Sequence, residues 1–409
     1  MTDRAVCITG YGLLSPLGET PAAWWAALSD PVARRARIDE AATAPFPIHT
    51  IGDYDLAAQV PRPGDRRAMG PMMQYGAYAA GLALDMAGLK GDDDLLRQTH
   101  MIVASGGGER DLELDRLILE GAPGRDNRGA REEWITAQMA DGLRPTLFLA
   151  QLPNLFAGNI SIVHKVAGSS RTFMGEEAAG ADALRIAHRR LASGQGDIFL
   201  VGAAFASERP EIQISYNAGG MLLRGGFADL WSRPDAGICF GAAGAFLVLE
   251  SRESAAARGV AVRAVLRGVE SDRTDRRTGD PAATARRQLE RLGAGPAGSD
   301  TAVLSGASGA GAAAGITAAE RAMLEDLAAG RAGARHGPGG RPRRRGGVPA
   351  ECHSRRRLCR TRRSLCALVA GCAGRGRWRR SGGPRAGHRL GACPGRGPGA
   401  RGGSWMTVA

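Results

Sequence analysis

The composition of this 409-residue chain breaks at residue 331, and the break confines any ordinary packed fold to what precedes it. Residues 331–409 hold 20 Arg, 18 Gly, five of the seven Cys and a single acid, Glu351. They contain no Lys, Ile, Phe, Tyr, Asn, Asp or Gln. Ordering a backbone costs about 1–2 kcal/mol per residue, and only apolar burial offsets a cost of that size. Beyond one short run at 365–370 (LCALVA), the tail has only scattered Leu, Val and Trp to bury.

The whole chain carries a formal charge of +13, yet residues 1–330 keep 34 of the 54 basic and 40 of the 41 acidic side chains, a net of −6. The basic character therefore belongs to the tail. One reading makes it a disordered arm that binds RNA or DNA by neutralising phosphates. The other makes it an out-of-frame stretch of a GC-rich gene, rich in Arg, Gly, Ala, Pro and Cys through codon composition. The tail has no Lys and no regular RGG repeat, which favours the second reading, so no nucleic-acid partner is expected.

Cys352, Cys359, Cys366, Cys372 and Cys393 are separated by six, six, five and twenty residues, unlike the close Cys pairs that place thiolates on one zinc. No metal is expected. Residues 1–330 contain only Cys7 and Cys239, too few for a disulfide scaffold, and Met1-Thr2-Asp3-Arg4 leads straight into an apolar strand. A cytoplasmic protein without membrane insertion is expected, because no apolar run reaches spanning length.

Residues 1–330 alternate strands and helices. Apolar runs at 5–8, 101–104, 198–201 and 245–249 read as buried strands, and 21–28, 72–87, 136–143, 153–163 and 177–193 read as helices. That rhythm predicts an α/β fold with a mostly parallel sheet covered on both faces.

Several stretches then carry a resemblance. Residues 8–18 (ITGYGLLSPLG) resemble the opening strand and turn of the beta-ketoacyl-acyl-carrier-protein synthases of the type II condensing class. Asn154, Ala157-Gly158 and Ser161-Ile162 resemble the helix before the nucleophile, and residues 194–206 (GQGDIFLVGAAFA) the strand after it. Arg233-Pro234, residues 241–250 and Ala257-Arg258-Gly259 resemble the close of the first half. Residues 144–151 and 168–177 are similar to the divergent synthase pair that serves very-long-chain acyl groups of rhizobial lipid A.

The resemblance implies a thiolase-like fold, two related βαβαβαββ halves in α-β-α-β-α layers. The first half would be 1–250, an incomplete second half 251–330, and the tail 331–409. It implies fatty-acid elongation by decarboxylative condensation of malonyl-carrier protein with an acyl thioester, with no cofactor. It also implies an acyl carrier protein partner and a dimer, with itself or with a homologous Cys-bearing subunit, aligned through edge strands near 198–201.

That chemistry needs a thiolate at a helix N-terminus, where the helix dipole and free N–H groups lower the thiol pKa, and two histidines to stabilise the enolate. Residues 180–184 align with the helix that follows the family's cysteine, which puts Glu177 at the nucleophile position, where it cannot be a nucleophile. No Cys lies between Cys7 and Cys239, and no His between His188 and His336. By the same alignment Gly175, Glu176, Ser308 and Gly309 fall in the substrate-tunnel or oxyanion region. Glu176 reads as a first-turn acid that suits the helix dipole. For Glu177 two roles stay open, that one or a carboxylate facing the acyl tunnel, like the amide of chain-length factors.

A Cys-less, chain-length-factor-like partner subunit is therefore expected. The alternatives are an active 3-oxoacyl-carrier-protein synthase, a malonyl decarboxylase, or a nucleic-acid-binding protein acting through the tail. Gly106-Gly107-Gly108 lacks dinucleotide-turn spacing, and the basic runs at 34–37 and 188–190 read as solvated faces, one of them a possible docking patch for an acidic carrier protein.

Overall fold

A computed structural model describes residues 4–30, 38–125, 127–143, 147, 151–175, 178–231, 233, 235–273, 280–293, 304–310, 314–328 and 404–408. Its centre is a six-stranded mixed sheet built from β1 (Val6–Leu14), β4 (His100–Ser105), β5 (Ser170–Met174), β6 (Ile198–Phe205), β8 (Ala243–Ser251) and β9 (Ala264–Leu266). The spatial order is β5-β4-β6-β8-β1-β9. β5, β4 and β6 run parallel, whereas β8 is antiparallel to both β6 and β1, and β9 is antiparallel to β1. A small sheet of β2 (Ile38–Asp39), β3 (Ile48–His49) and β7 (Phe240–Gly241) stands apart.

The central strands are apolar at successive positions because both faces are covered. Met101, Val103, Ile198, Leu200 and Val248 pack under helices α2 (Pro71–Met86) and α5 (Leu155–His164), with Ala80, Leu84, Phe156 and Ile160. Their alternate neighbours Ile102, Phe199, Val201 and Leu249 pack on the opposite face under α6 (Ala179–Ala192), with Ala183, Ala187 and Leu191. The sequence reads the first strand as 5–8, but the strand continues to Leu14. A Cβ on Gly10 would lie 2.3 Å from the Ala83 carbonyl oxygen, and one on Gly12 would lie 1.9 Å from that of Ala79. Helix α2 therefore rests on the backbone of β1, and glycine is needed there for close approach.

A buried clamp closes this unit. Glu250 is fully buried at the end of β8 and accepts from Arg258 Nη1 at 2.7 Å and Ser254 Oγ at 2.9 Å. Arg258, just after α8 (Arg252–Ala257), also donates to the carbonyls of Ala87 (2.7 Å) and Gly88 (3.1 Å) beyond α2.

Between β4 and α5 the helices α3 (Leu112–Gly121) and α4 (Arg128–Gly142) form a projecting hairpin, pinned where the Arg125 guanidinium stacks 3.8 Å over the Trp134 ring. The first helix, α1 (Pro21–Ser29), buries no residue and exposes Trp25 and Leu28.

A second unit follows, of which the described residues supply two strands and two helices. β10 (Val269–Arg273) packs on the far side of α6, where Ser271 Oγ donates to Asp182 at 2.7 Å and receives Arg185 at 3.0 Å. Its alternate residues Glu270 and Asp272 meet Arg291 of α9 (Pro281–Arg291) at 3.6 and 2.8 Å. Helix α10 (Ala314–Ala328) joins α9 through Arg286 and Asp326 at 3.1 Å. The layers thus read α2/α5, sheet, α6, β10 and then α9/α10, the expected α-β-α-β-α arrangement.

Three details depart from expectation. β6 lies inside the sheet, so 198–201 is not an edge. The edges belong to β5 and to the three-residue β9, neither of which has a strand on its far side among the described residues. An apolar run as continuous as Ile198-Phe199-Leu200-Val201 needs cover on both sides, which only an interior strand receives. Second, β9 lies beyond residue 250 yet completes the first sheet by pairing the free side of β1. Third, Ser404–Val408 of the tail forms β11, antiparallel to β10 from Val269↔Val408 to Arg273↔Ser404, in keeping with the β-forming character of Trp, Thr and Val. The rest of the tail lies outside the described residues, as do Glu176 and Glu177.

Candidate functional site

Open parallel sheets bind ligands beyond the carboxyl ends of their strands. Here those ends are Met174 of β5, Ser105 of β4 and Phe205 of β6, three neighbours in the sheet. Gly175 follows β5 at φ +143°, a conformation that L side chains rarely adopt, and its N–H donates to the Ser105 carbonyl at 3.2 Å. The N-terminus of α6 thereby stands over the end of β4. Its cap, Ala178, supplies no side-chain hydrogen bond, and its first-turn acid is Asp182, engaged by Arg185 and Ser271.

Ser308 and Gly309 lie in the loop before α10, where the Gly309 carbonyl accepts from Gly237 N–H at 2.5 Å. Gly309 has φ +74°, and a Cβ there would meet Leu230 at 2.6 Å and the Gly237 carbonyl at 3.1 Å. Glycine is required at that turn for packing. Ser308 Oγ accepts from Ala310 N–H at 3.4 Å, and the neighbouring Ser305 Oγ donates to buried Glu320 at 2.5 Å. Burial raises the Glu320 carboxyl pKa, and the Ser305 hydrogen bond partly offsets the shift. No described contact joins Ser308 or Gly309 to Gly175.

The described thiols are not nucleophiles. Cys7 is wholly buried in β1, and burial raises its pKa. Cys239 donates from Sγ to the Pro47 carbonyl at 3.2 Å, and burial pushes its pKa up to about 12. A thiol attacks only as thiolate, so both are inert near neutrality. His164 and His100 sit elsewhere. His164, at the end of α5, donates from Nε2 to the Ala77 carbonyl at 2.7 Å, and burial lowers it to about 4. His100 opens β4 at the opposite end of the strand from the site, and its Nδ1 accepts from Ser169 N–H at 3.1 Å. Burial, and then the Arg190 charge, hold it below the usual imidazole range.

Sequence reading missed a buried ion pair just past β6, where α7 (Pro210–Ala218) begins. Arg209, four residues beyond the end of β6, has a side chain only 8% exposed. It donates from Nη1 to the Gly107 carbonyl at 3.0 Å and from Nη2 to that of Gly108 at 2.7 Å, fastening the glycine turn that leaves β4. Its Nε and Nη2 also meet Glu211 Oε1 at 2.8 and 2.5 Å, and the Glu211 side chain is 16% exposed. Next to this pair Gln213 donates from Nε2 to the Ser207 carbonyl at 2.7 Å, while its buried Oε1 has no partner among the described residues. The available signal was Glu208-Arg209-Pro210-Glu211, three charges directly after a fully apolar strand.

Residues 3–255 match the family model described as "Beta-ketoacyl synthase, N-terminal domain". A 3-oxoacyl-[acyl-carrier-protein] synthase 2 of Rhizobium meliloti (strain 1021) is 30% identical over 294 residues, covering 65% of this chain and 63% of its own. The synthase 2 of Vibrio harveyi is 26% identical over 276 residues, covering 66% of this chain. The chain spans 63% of the length of both relatives. Among solved structures, the ishigamide ketosynthase/chain length factor superposes with a TM-score of 0.56 at 23% identity, over 72% of this chain and 71% of its own. The fold is thus thiolase-like. With more than half its length inside the family model, the chain belongs to the beta-ketoacyl synthase family.

Proposed function

We propose that this chain acts in acyl-chain assembly as a non-condensing partner subunit, bounding the acyl site of a homologous subunit that carries the cysteine. The observation that carries this reading is chemical. The only two cysteines in residues 1–330 are Cys7 and Cys239, neither within the residues that lead into α6 and both with raised pKa. Without a thiolate there, no acyl-thioester forms on this chain. The structural likeness to a protein described as a ketosynthase/chain length factor supports the reading, and the relatives' carrier-protein thioester chemistry suggests an acyl carrier protein as common partner. The open edge of β5 is the surface we assign to pairing with that subunit.

The test is acylation. Supplied with radiolabelled acyl-carrier protein, a mixture of this chain and a Cys-bearing relative should place hydroxylamine-sensitive label on the relative alone. Stable label on this chain overturns the proposal. Glu177→Cys alone should restore no condensation, because a catalytic unit fails as a whole when its histidines are missing.

A further inference from the structure

The edge strand β5 is fastened at its start by a histidine. Ser169, the residue before β5, donates its backbone N–H to His100 Nδ1 at 3.1 Å, and its Oγ lies 2.9 Å from the same nitrogen. A backbone N–H can only donate, so Nδ1 is unprotonated and the ring proton sits on Nε2. The ring is held in place. It stacks on Phe199 of β6 at 4.9 Å, and a Cβ on Gly196 would come within 2.7 Å of Nε2.

The elements packed round His100 bring only positive charge without a carboxylate of its own among the described residues. From α6, Arg190 lies 5.2 Å over the Phe199 ring, and its Nη1 and Nη2 both reach Ser169 Oγ at 3.4 Å. Its neighbour Arg189 meets Glu270 at 4.0 Å. From β5, Arg171 shares this face of the sheet, in register with Ile102, two residues along β4. From β6 and its approach come the uncharged Phe199 and Gly196, while Asp197 is taken up by Arg4 and Ser251.

We infer that His100 is a proton-operated latch on the pairing edge: protonation at Nδ1 releases the start of β5 and weakens docking of the second subunit there. The Ser169 hydroxyl can reverse and accept from the new N–H, but the Ser169 backbone N–H cannot, and it loses its acceptor. The imidazolium would also stand beside Arg190, where like charges repel. Burial, and then the Arg190 charge, already hold His100 below its ordinary 6.5. With the folded-state pKa lowered, the latch contributes fully above pH 6.5 and is lost as pH falls through that lower value. The link to docking rests on the partner-subunit reading, and the latch itself does not.

The latch is tested on the full chain alone, by amide hydrogen exchange of peptides covering residues 167–173, each rate divided by the intrinsic rate at that pH. Protection should fall at least about threefold between pH 7.5 and pH 5. His100→Gln removes the titrating group while keeping an acceptor for the Ser169 N–H, and its protection should change less than about 1.5-fold. A flat wild-type profile overturns the inference, as does a variant with the wild-type slope. If the variant does not fold, C2–H exchange of His100 in the wild type decides. Its midpoint should coincide with the loss of protection, and a midpoint at or above the ordinary 6.5 overturns the inference. The docking arm compares co-purification with a Cys-bearing relative at the same two pH values. Capture should fall at least about threefold on acidification for the wild type and less than about 1.5-fold for the variant. Equal wild-type capture at both overturns control of docking. No capture at either defeats the partner reading and leaves the latch to be judged by exchange.

Discussion

The Arg258 clamp offers the sharpest test of the packing. Replacing Arg258 with Met keeps most of the stem but removes the cation from a carboxylate that is 0% exposed and whose second oxygen has no described partner. Breaking a buried ion pair from one side costs about 3–5 kcal/mol, because the remaining charge is stranded. The lost bonds to Ala87 and Gly88 add little where water can replace them, so a cost of about 4 kcal/mol is expected. For a unit of this size that corresponds to a fall in Tm of roughly 8–16 °C. The double variant Arg258→Met with Glu250→Leu should recover most of the loss, since no charge is then stranded. Urea unfolding followed by circular dichroism measures both, with the midpoint shift multiplied by the slope giving the free energy. A single variant that loses less than about 1 kcal/mol, or a double variant worse than the single, would refute the reasoning.

Two further outcomes follow from the structure. Placing lysines on the open edge, Ser170→Lys with Met174→Lys, should abolish co-purification with a Cys-bearing relative while leaving the far-ultraviolet spectrum unchanged, because inserted charge blocks strand pairing. Burial lowers His164 to about 4 from an ordinary 6.5, so the stability it contributes is complete above pH 6.5 and is lost as pH falls toward 4. His164→Gln should flatten that part of the stability-against-pH curve by about 3 kcal/mol, measured by urea midpoints from pH 7 to 4.

The first sheet was largely legible because its strands are apolar on both faces and its helices carry small residues at their contacts. What composition could not show was lateral order. Ser170-Arg171-Thr172-Phe173-Met174 is too mixed to announce a strand, yet it is the edge, and its half-exposed polar residues are what an edge permits. The uniformly apolar 198–201 run was the better candidate for the centre, where it lies. The helix Leu112–Gly121 was passed over because it buries only Leu114, leaving no broad apolar stripe to read. Within the site, the missing cysteine and histidines were legible by simple absence. The Arg209–Glu211 pair was not, because a charged tetrapeptide looks solvated until the fold brings the Gly107 and Gly108 carbonyls onto its guanidinium.

The place of β1 in the sheet carries a consequence for how the chain is made. Val6 pairs with Ser251 on one side and Leu266 on the other, so the first strand to leave the ribosome is among the last to acquire neighbours. With synthesis at about 5–20 residues per second, the wait is about 12–50 s. Through that interval Val6, Ile8, Leu13 and Leu14, all buried in the finished sheet, have neither strand neighbour beside them. A nascent chain stalled before residue 251 should therefore stay bound to chaperones, and release should coincide with the emergence of β8 and β9 from the exit tunnel.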